Sequence, residues 1–268
     1  MKKTIILLLL IASSLSVMAK SFSPESENSL KFPNKKKDEK WSIKLEEGRE
    51  VLLQKKKSQK AISDYFDPII SHFEELYKES TNKVYCASDP RVTLFYLISA
   101  AVQQDASAED KEVLKELKEN LLFSTIQMDG RGVVVISRTW AEAYYLKAYA
   151  YVELGEIERA EIELKHALDL SPLNAIYWAE LGHTFQVRKN WVEAKKAFEN
   201  SQEAASFSPD NQKNHDLARA WRGIGFCLIE MGKTEEAKKQ YLKCLELNPD
   251  DKKALNELEY IKRVIKEK

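Results

Sequence analysis

A pattern of seven residues returns three times in the second half of this 268-residue chain. Each copy has a large aromatic residue, a small residue four places later, an alanine twelve places after that, and a large residue four places further on. The second copy follows the first after 34 residues and the third follows after 43, so nine extra residues precede the third copy. The copies read Tyr144, Ala148, Tyr151, Ala160, Leu164, Ala167, Pro172; Trp178, Gly182, Phe185, Ala194, Phe198, Ser201, Ser206; and Trp221, Gly225, Leu228, Ala237, Tyr241, Cys244, Pro249.

The residue types of each copy predict two packed helices. The first large residues and the small residue between them fall on one helical face, and the small residue lets a second helix approach. That helix brings its own alanine and a large residue one turn later, so large residues of one helix fill the space above small residues of the other. Gly155, Lys189-Asn190 and Gly232 stand where the chain turns. Pro172 and Pro249 end the second helix, whereas Ser206 provides no such stop, so that helix is expected to continue toward Ser208-Pro209.

A 34-residue period with this order of residues resembles the tetratricopeptide repeat. The resemblance implies an all-α fold, a right-handed α-α superhelix of helix-turn-helix repeats. It assigns three units to residues 141–174, 175–208 and 218–251, with the insertion between the second and third units reaching residue 217. Residues 41–139 are predicted to be degenerate helical repeats, with pairs at 41–57 and 59–79 and at 91–104 and 107–124. Residues 252–268 are predicted to be a capping helix with Leu255, Leu258 and Ile261 on its buried face.

Residues 129–136 combine a turn signal with a short extended segment. Asp129-Gly130-Arg131-Gly132 is a strong turn signal, and the β-branched run from Val133 to Ile136 is typical of a short extended segment.

The first 19 residues read as a bacterial signal peptide. Lys2 and Lys3 precede an apolar run, and Val17-Met18-Ala19 offers the small residues of a cleavage site. Serines interrupt the run before the roughly 20 residues that a membrane span needs, although an uncleaved anchor stays open as an alternative. We expect cleavage, no stable membrane insertion afterwards, and a periplasmic or secreted protein whose residues 20–40 form a flexible linker.

The charges of the chain limit the kind of partner, and the number of cysteines limits the disulfide pairing. The 42 basic and 42 acidic residues are interleaved, which argues against nucleic acid because a polyanion requires a basic face. The odd count of three cysteines excludes a complete disulfide framework. Folded about the Gly232 turn, Cys227 and Cys244 would be offset by about 9 Å, beyond the roughly 6.8 Å limit of a disulfide. Cys244 is therefore predicted to be a core residue.

No catalytic, metal or cofactor motif stands out in the sequence. The histidines are His72, His166, His183 and His215, and none has a second ligand-type residue at metal spacing on its helix face. The aromatic residues are explained by the repeat core rather than by a cofactor. We therefore predict no cofactor, no metal and no enzymatic activity.

Candidate binding residues are those that the repeat does not need for its own core. The resemblance implies that the second, fifth, ninth and twelfth places of each unit line a groove for a peptide or a partner helix. Aromatic residues and arginine are enriched there, as at binding hot spots. The predicted partner-binding residues are Tyr145, Tyr149, His183, Gln186, Arg219, Arg222 and Phe226. The alternative is that some of them pack within the protein.

Members of the family that clamp a C-terminal carboxylate use lysine and asparagine at the fifth and ninth places of the first unit. Tyr145 and Tyr149 occupy those places here, so that clamp is absent. The sequence favours an exported scaffold or adaptor that binds a protein or peptide. A structural component of an envelope assembly, or a self-associating oligomer, is the second interpretation, and an enzyme with an unrecognised site is the third.

Overall fold

A computed structural model of the protein describes residues 35–54, 56–104 and 133–266. The described part is essentially all-α, as predicted, and its helices follow one another in helix-turn-helix pairs. Six helices form the three predicted repeats. They are α5 (Thr139–Glu153), α6 (Ile157–Leu170), α7 (Ala175–Val187), α8 (Trp191–Ala204), α9 (Asp210–Glu230) and α10 (Thr234–Leu247).

In the second and third repeats a large side chain of the second helix lies against a small residue of the first. A Cβ atom added at Gly182 would lie 2.8 Å from the ring of Phe198, and one added at Gly225 would lie 2.8 Å from the ring of Tyr241. Phe198 and Tyr241 are fully buried as a result. The spacing of small and large residues therefore predicted the core packing correctly.

The turns between paired helices need a left-handed residue at one place. Gly155 and Gly232 adopt φ values of 78° and 75°, and Lys189 adopts 57° at the same place of the second repeat. Asn190, which follows Lys189, is instead the N-cap of α8 and accepts a hydrogen bond from the backbone N–H of Glu193.

The insertion before the third repeat is mostly helical. The second helix of the middle repeat continues, as expected, into a 3₁₀ turn at Ala205–Phe207, and α9 begins at Asp210 rather than at residue 218. The hydroxyl of Ser208 donates a 2.7 Å hydrogen bond to the buried carboxylate of Asp216 and fixes the start of the helix. The extra residues thus lengthen the first helix of the third repeat.

A helix pair precedes the repeats. It consists of α1 (Lys35–Leu52), α2 (Ser58–Ala61), a π-helical turn (Ile62–Phe66) and α3 (Asp67–Tyr77). Gly48 faces the side chains of Tyr65 and Phe66, so this pair packs as the repeats do. Pro68 lies just after the π turn, which widens the helix where proline cannot supply an N–H.

The remainder of the segment predicted to be helical repeats contains a small sheet. Strands β1 (Lys83–Cys86) and β2 (Val133–Ile136) pair in parallel, with Lys83 opposite Val133. Between them lies α4 (Pro90–Gln104), which matches the predicted helix 91–104. The extended segment at Val133–Ile136 is confirmed, whereas strand β1 was not predicted. The predicted helix at 107–124 and the turn at 129–132 lie outside the described residues.

The sheet packs against the loop between the first two repeats. Tyr85 stacks on Tyr96 with ring centroids 4.4 Å apart, and both cluster with Val135 and Leu173. The hydroxyl of Ser171 donates a 2.8 Å hydrogen bond to the carbonyl of Cys86. These contacts bind the sheet to the repeat array.

The last helix, α11 (Lys252–Lys266), covers the end of the third repeat. Ala254, Leu258 and Ile261 are buried against it, whereas Leu255 is 41% exposed. The prediction placed Leu255 on the buried face and was wrong there, because Ala254 takes that position one residue earlier.

Two other predictions can be compared with the structure. Helix α1 begins at Lys35, so the last residues of the segment predicted to be a linker, 20–40, are helical. The Lys35-to-Lys40 stretch is rich in good helix formers, which the prediction treated as a solvated tether. The signal-peptide segment 1–19 lies outside the described residues. Cys227 and Cys244 are buried free cysteines, as predicted, and burial raises the pKa of the Cys244 thiol to about 11.

Candidate functional site

The first helices of neighbouring repeats lie side by side. Tyr145 of α5 stacks on Tyr177 of α7 with ring centroids 4.9 Å apart. The side-chain amide of Gln186 on α7 donates to the backbone carbonyl of Gly223 on α9 at 3.4 Å. The faces of α5, α7 and α9 that carry the seven predicted residues therefore form one continuous surface, which we call the groove face.

Two aromatic side chains project from the groove face. Tyr149 of α5 is 43% exposed and Phe226 of α9 is 39% exposed. Both occupy the ninth place of their repeat, where a side chain is not needed for the core. These two exposed rings are the candidates for contact with a partner.

Trp191 is a functional candidate that the sequence reasoning missed. Its ring meets Phe226 edge to face, with centroids 6.0 Å apart, and it is half-buried. Trp191 is the first residue of α8, where the other second helices begin with Ile157 and Thr234. The departure from a smaller residue at that place is the signal that could have found it.

Tyr145 and Gln186 are partly used by the protein itself. Tyr145 is half-buried, and burial, with a smaller contribution from the carboxylate of Glu180, raises its pKa to about 12. The amide nitrogen of Gln186 donates to the carbonyl of Gly223, and its Oε1 accepts a 3.0 Å hydrogen bond from Nδ1 of His183. These two side chains shape the wall of the groove face more than they offer free groups to a partner.

The two predicted arginines are engaged in ion pairs. Nη2 of Arg219 lies 2.6 Å from Oε1 of Glu180 on the neighbouring first helix. Arg222 pairs with Asp251, whose other oxygen accepts from the backbone N–H groups of Lys253 and Ala254 at the start of α11. Arg222 therefore supports the cap of the last helix, and its predicted role in partner binding stays a prediction.

The same pattern holds at the front of the groove face. Glu142 of α5 is buried and pairs with Arg49 of α1 and with Arg138, whose Nε lies 2.8 Å from Oε2. This ion-pair cluster joins the N-terminal helix pair to the first repeat. Glu142, Arg219 and Arg222 of the groove face are thus all paired within the protein.

His183 stands between the two exposed aromatic rings in the repeat order. It is half-buried and meets the ring of Phe198 edge to face at 5.0 Å. Burial and the positive charge of Arg219 lower the pKa of His183 below the ordinary 6.5, against a smaller opposing effect of Glu180. The imidazole is therefore neutral near pH 7.

No group of three or more His, Cys, Asp or Glu side chains within 35–54, 56–104 and 133–266 is placed to hold a metal ion. Across those same residues, no helix combines the length and apolar character needed to cross a membrane. The groove face offers two exposed aromatic rings, Tyr149 and Phe226, beside ion-paired charges.

Family comparison agrees with the repeats. Models described as tetratricopeptide repeat match residues 141–172 and residues 173–250. Residues 141–250 are therefore tetratricopeptide repeats, and the protein is a tetratricopeptide-repeat protein. Such repeats are a scaffold for protein interaction. A search of curated proteins finds no match.

Several solved structures are similar to this chain. The first tetratricopeptide domain of Spaghetti (RPAP3), bound to the HSP90 peptide SRMEEVD, is 23% identical and covers 47% of this chain and 92% of its own, with a TM-score of 0.42. The N-terminal domain of stress-induced protein-1 from C. elegans is 15% identical over 47% of this chain and 96% of its own, also at 0.42. YrrB, a tetratricopeptide protein with an unusual peptide-binding site, is 19% identical over 81% of this chain and 96% of its own, at 0.38. At these TM-scores the likeness carries no argument about function.

Proposed function

We propose that this protein is an exported, non-enzymatic scaffold or adaptor that binds a protein or peptide on its groove face. One observation supports this most strongly: Tyr149 and Phe226, at equivalent places of the first and third repeats, keep 43% and 39% of their surface exposed. Aromatic anchors of this kind dominate binding energy in protein interfaces. Neither ring belongs to the buried core, although Phe226 also contacts Trp191 of the second repeat.

Two single substitutions test the binding role. Tyr149→Ala and Phe226→Ala each remove an exposed ring, so we expect both proteins to fold normally by circular dichroism and to lose partner recovery in a crosslinking pull-down from envelope extract. Leu242→Ala is the matched control, since Leu242 is 43% exposed on a second helix, away from the groove face. Equal recovery by all four proteins would argue that the groove face binds nothing in that extract.

The export part of the proposal has its own test. We propose that the chain is cleaved after Ala19 and that the mature protein, beginning at Lys20, resides in the periplasm. Intact mass measurement of the protein from the periplasmic fraction should give the mass of residues 20–268. A protein that retains Met1, or that stays in the cytoplasmic fraction, would overturn it.

Self-association is a second candidate function, because the capping helix carries exposed apolar side chains. Leu255 and Tyr260 of α11 are 41% and 48% exposed. A second copy docked on this end would bury them, as the next repeat of a solenoid would. Light scattering distinguishes the candidates: a stable oligomer that Leu255→Glu dissociates supports assembly, and a monomer supports the adaptor.

A further inference from the structure

The chain departs from its repeat period in two places, and the two departures contact each other. The first is the segment before the repeats that contains β1, α4 and β2. The second joins the second repeat to the third, where nine extra residues lie. Phe95 of α4 meets Phe207 of the second departure edge to face, with ring centroids 4.9 Å apart, a favourable geometry for an aromatic pair. Beside them, Nη1 of Arg91 lies 3.6 Å from Oδ1 of Asp210, the first residue of α9.

The same segment is also attached to the loop between the first and second repeats. Nζ of Lys83 on β1 lies 2.6 Å from Oδ1 of Asp169 in the last turn of α6, and the lysine side chain is only 12% exposed. The hydroxyl of Tyr96 on α4 accepts a 3.3 Å hydrogen bond from the backbone N–H of Leu173. The hydrogen bond from Ser171 to β1 belongs to this attachment as well.

Both attachment points lie on one edge of the repeat array. Residues 171–174 connect α6 to α7, and residues 205–209 connect α8 to α9. Because helices joined by short connections run antiparallel, the connections from one repeat to the next recur at the same end of successive repeats. We call β1, α4 and β2 together the brace segment, since they reach from one of these connections to the next along the second repeat.

The brace segment is itself well packed. Tyr85 of β1 stacks on Tyr96 of α4, and both rings are fully buried. The helix that contacts Phe207 is therefore fixed to the strand that contacts the first repeat. A movement of one connection relative to the other would have to break one of these contacts.

Such a link changes what is expected of a repeat array. In a solenoid each repeat contacts only its neighbours, and the curvature follows from a small rotation at each interface. Variation in these rotations accumulates along the array, so the ends move relative to each other more than neighbours do. A packed segment attached at two successive connections restrains both rotations together.

We propose that the brace segment fixes the orientation of the first repeat relative to the third, and that the Phe95–Phe207 ring pair is its contact at the far connection. Tyr149 and Phe226 lie on the first and third repeats, so the brace segment also sets the distance between these two rings. The proposal concerns the shape of the array and goes beyond the proposed function, since it holds whether or not a partner binds. The exposed Arg91–Asp210 ion pair contributes less to this contact.

The distance between two spin labels tests the proposal. Ile162→Cys on α6 and Leu242→Cys on α10 place one label on the first repeat and one on the third, at positions that are 52% and 43% exposed. The three native cysteines are buried, which shields them from the labelling reagent, and protein without the added cysteines is the labelling control. Pulsed electron spin resonance then gives the distribution of label-to-label distances in the purified mature protein.

Four brace variants would be compared on this labelled background. They are Phe95→Ala, Phe207→Ala, the two combined, and Leu94→Ala as the matched control, because Leu94 is adjacent on α4 and 48% exposed. We expect a narrow distribution for the unmodified brace and for Leu94→Ala, and a broader, shifted one for each phenylalanine variant. The combined variant should be no broader than either single one, because all three remove the same contact.

Two results would overturn the proposal. An unchanged distribution in both phenylalanine variants would show that the ring pair only covers apolar surface. Equal broadening in Leu94→Ala would show a general loosening of α4. Circular dichroism checks that each variant is folded. One that loses helical signal would be replaced by Phe95→Leu or Phe207→Leu, which keep an apolar side chain but lose the ring pair, and the same criteria apply to these.

Discussion

Lys189 adopts the left-handed conformation that the other repeats assign to glycine. Its φ of 57° matches the 78° of Gly155 and the 75° of Gly232. The sequence located this turn but not the strained residue, because Lys189 and Asn190 are adjacent and asparagine tolerates that conformation better than lysine. In the structure Asn190 serves as the N-cap of α8, which leaves the left-handed place to Lys189.

Lys189→Gly should therefore stabilise the protein by about 1 kcal/mol, since a non-glycine residue in the left-handed region costs roughly that much. Urea unfolding followed by circular dichroism measures the change. Lys189→Ala is the control and should have almost no effect, because it keeps the Cβ atom. The account of the turn would be wrong if alanine stabilised as much as glycine.

The lowered pKa of His183 makes the stability of the folded protein depend on pH. Its folded pKa lies below the unfolded value of 6.5, so the unfolded protein binds more protons between those two values. Its contribution to stability is present above pH 6.5 and is lost as the pH falls through the lowered folded pKa. The neighbouring charges that act on it are Arg219, Glu180 and Lys253.

We expect wild-type protein to lose stability through this group on acidification, and His183→Gln to lose less. His166→Gln is a control of opposite sign. The carboxylate of Glu163, 3.7 Å from its Nδ1, raises the pKa of His166. The stabilisation that His166 contributes is present below pH 6.5 and is lost as the pH rises through its pKa in the folded protein. Without it, the His166→Gln protein should lose more stability on acidification than wild type. Identical pH profiles for wild type and His183→Gln would contradict the burial argument.

The start of α11 depends on Asp251. One carboxylate oxygen accepts from the backbone N–H groups of Lys253 and Ala254, each at 3.1 Å, and the other pairs with Arg222 of α9. A single side chain thus caps a helix and connects it to the preceding repeat.

Asp251→Ala should cost about 1–2 kcal/mol and increase hydrogen exchange along α11, since the cap and the ion pair are lost together. Asp251→Asn keeps the capping oxygen and should cost less. The neighbouring Asp250 is exposed, so Asp250→Ala should stay within about 0.5 kcal/mol of wild type. Equal effects at 250 and 251 would show that the cap contributes little.

Helices were predictable from the sequence where their packing is local and periodic. The alternation of small and large residues identified Gly182 against Phe198, because both belong to one helix pair and recur at a fixed period. Strand β1 was missed because it has four residues and pairs with a strand 50 residues further on, from Lys83 to Val133. A parallel pair of that length leaves no local pattern.

The exposed part of the candidate site was predictable to a similar extent. The repeat numbering found Tyr149 and Phe226, the two aromatic rings of the groove face that are exposed. The repeat numbering could not show that Arg222 pairs with Asp251. That contact joins residues 29 apart and depends on how the last helix packs on the third repeat.

At the scale of the whole molecule, the side chains of the first helices that do not pack in the repeat core form a continuous surface. Three first helices side by side carry ion pairs and the exposed rings of Tyr149 and Phe226. The N-terminal helix pair is joined to them through Glu142 and Arg49. The central claim is that this surface, and no other part of the array, holds the partner.

Site-specific photocrosslinking in living cells tests that claim most directly. A benzophenone amino acid would replace Tyr149, Phe226 or, as the control, Leu242 on the opposite helix of the third repeat. The account predicts the same covalent adduct with a partner protein from positions 149 and 226 and none from position 242. Adducts from 242 alone, or equal adducts from all three positions, would contradict it.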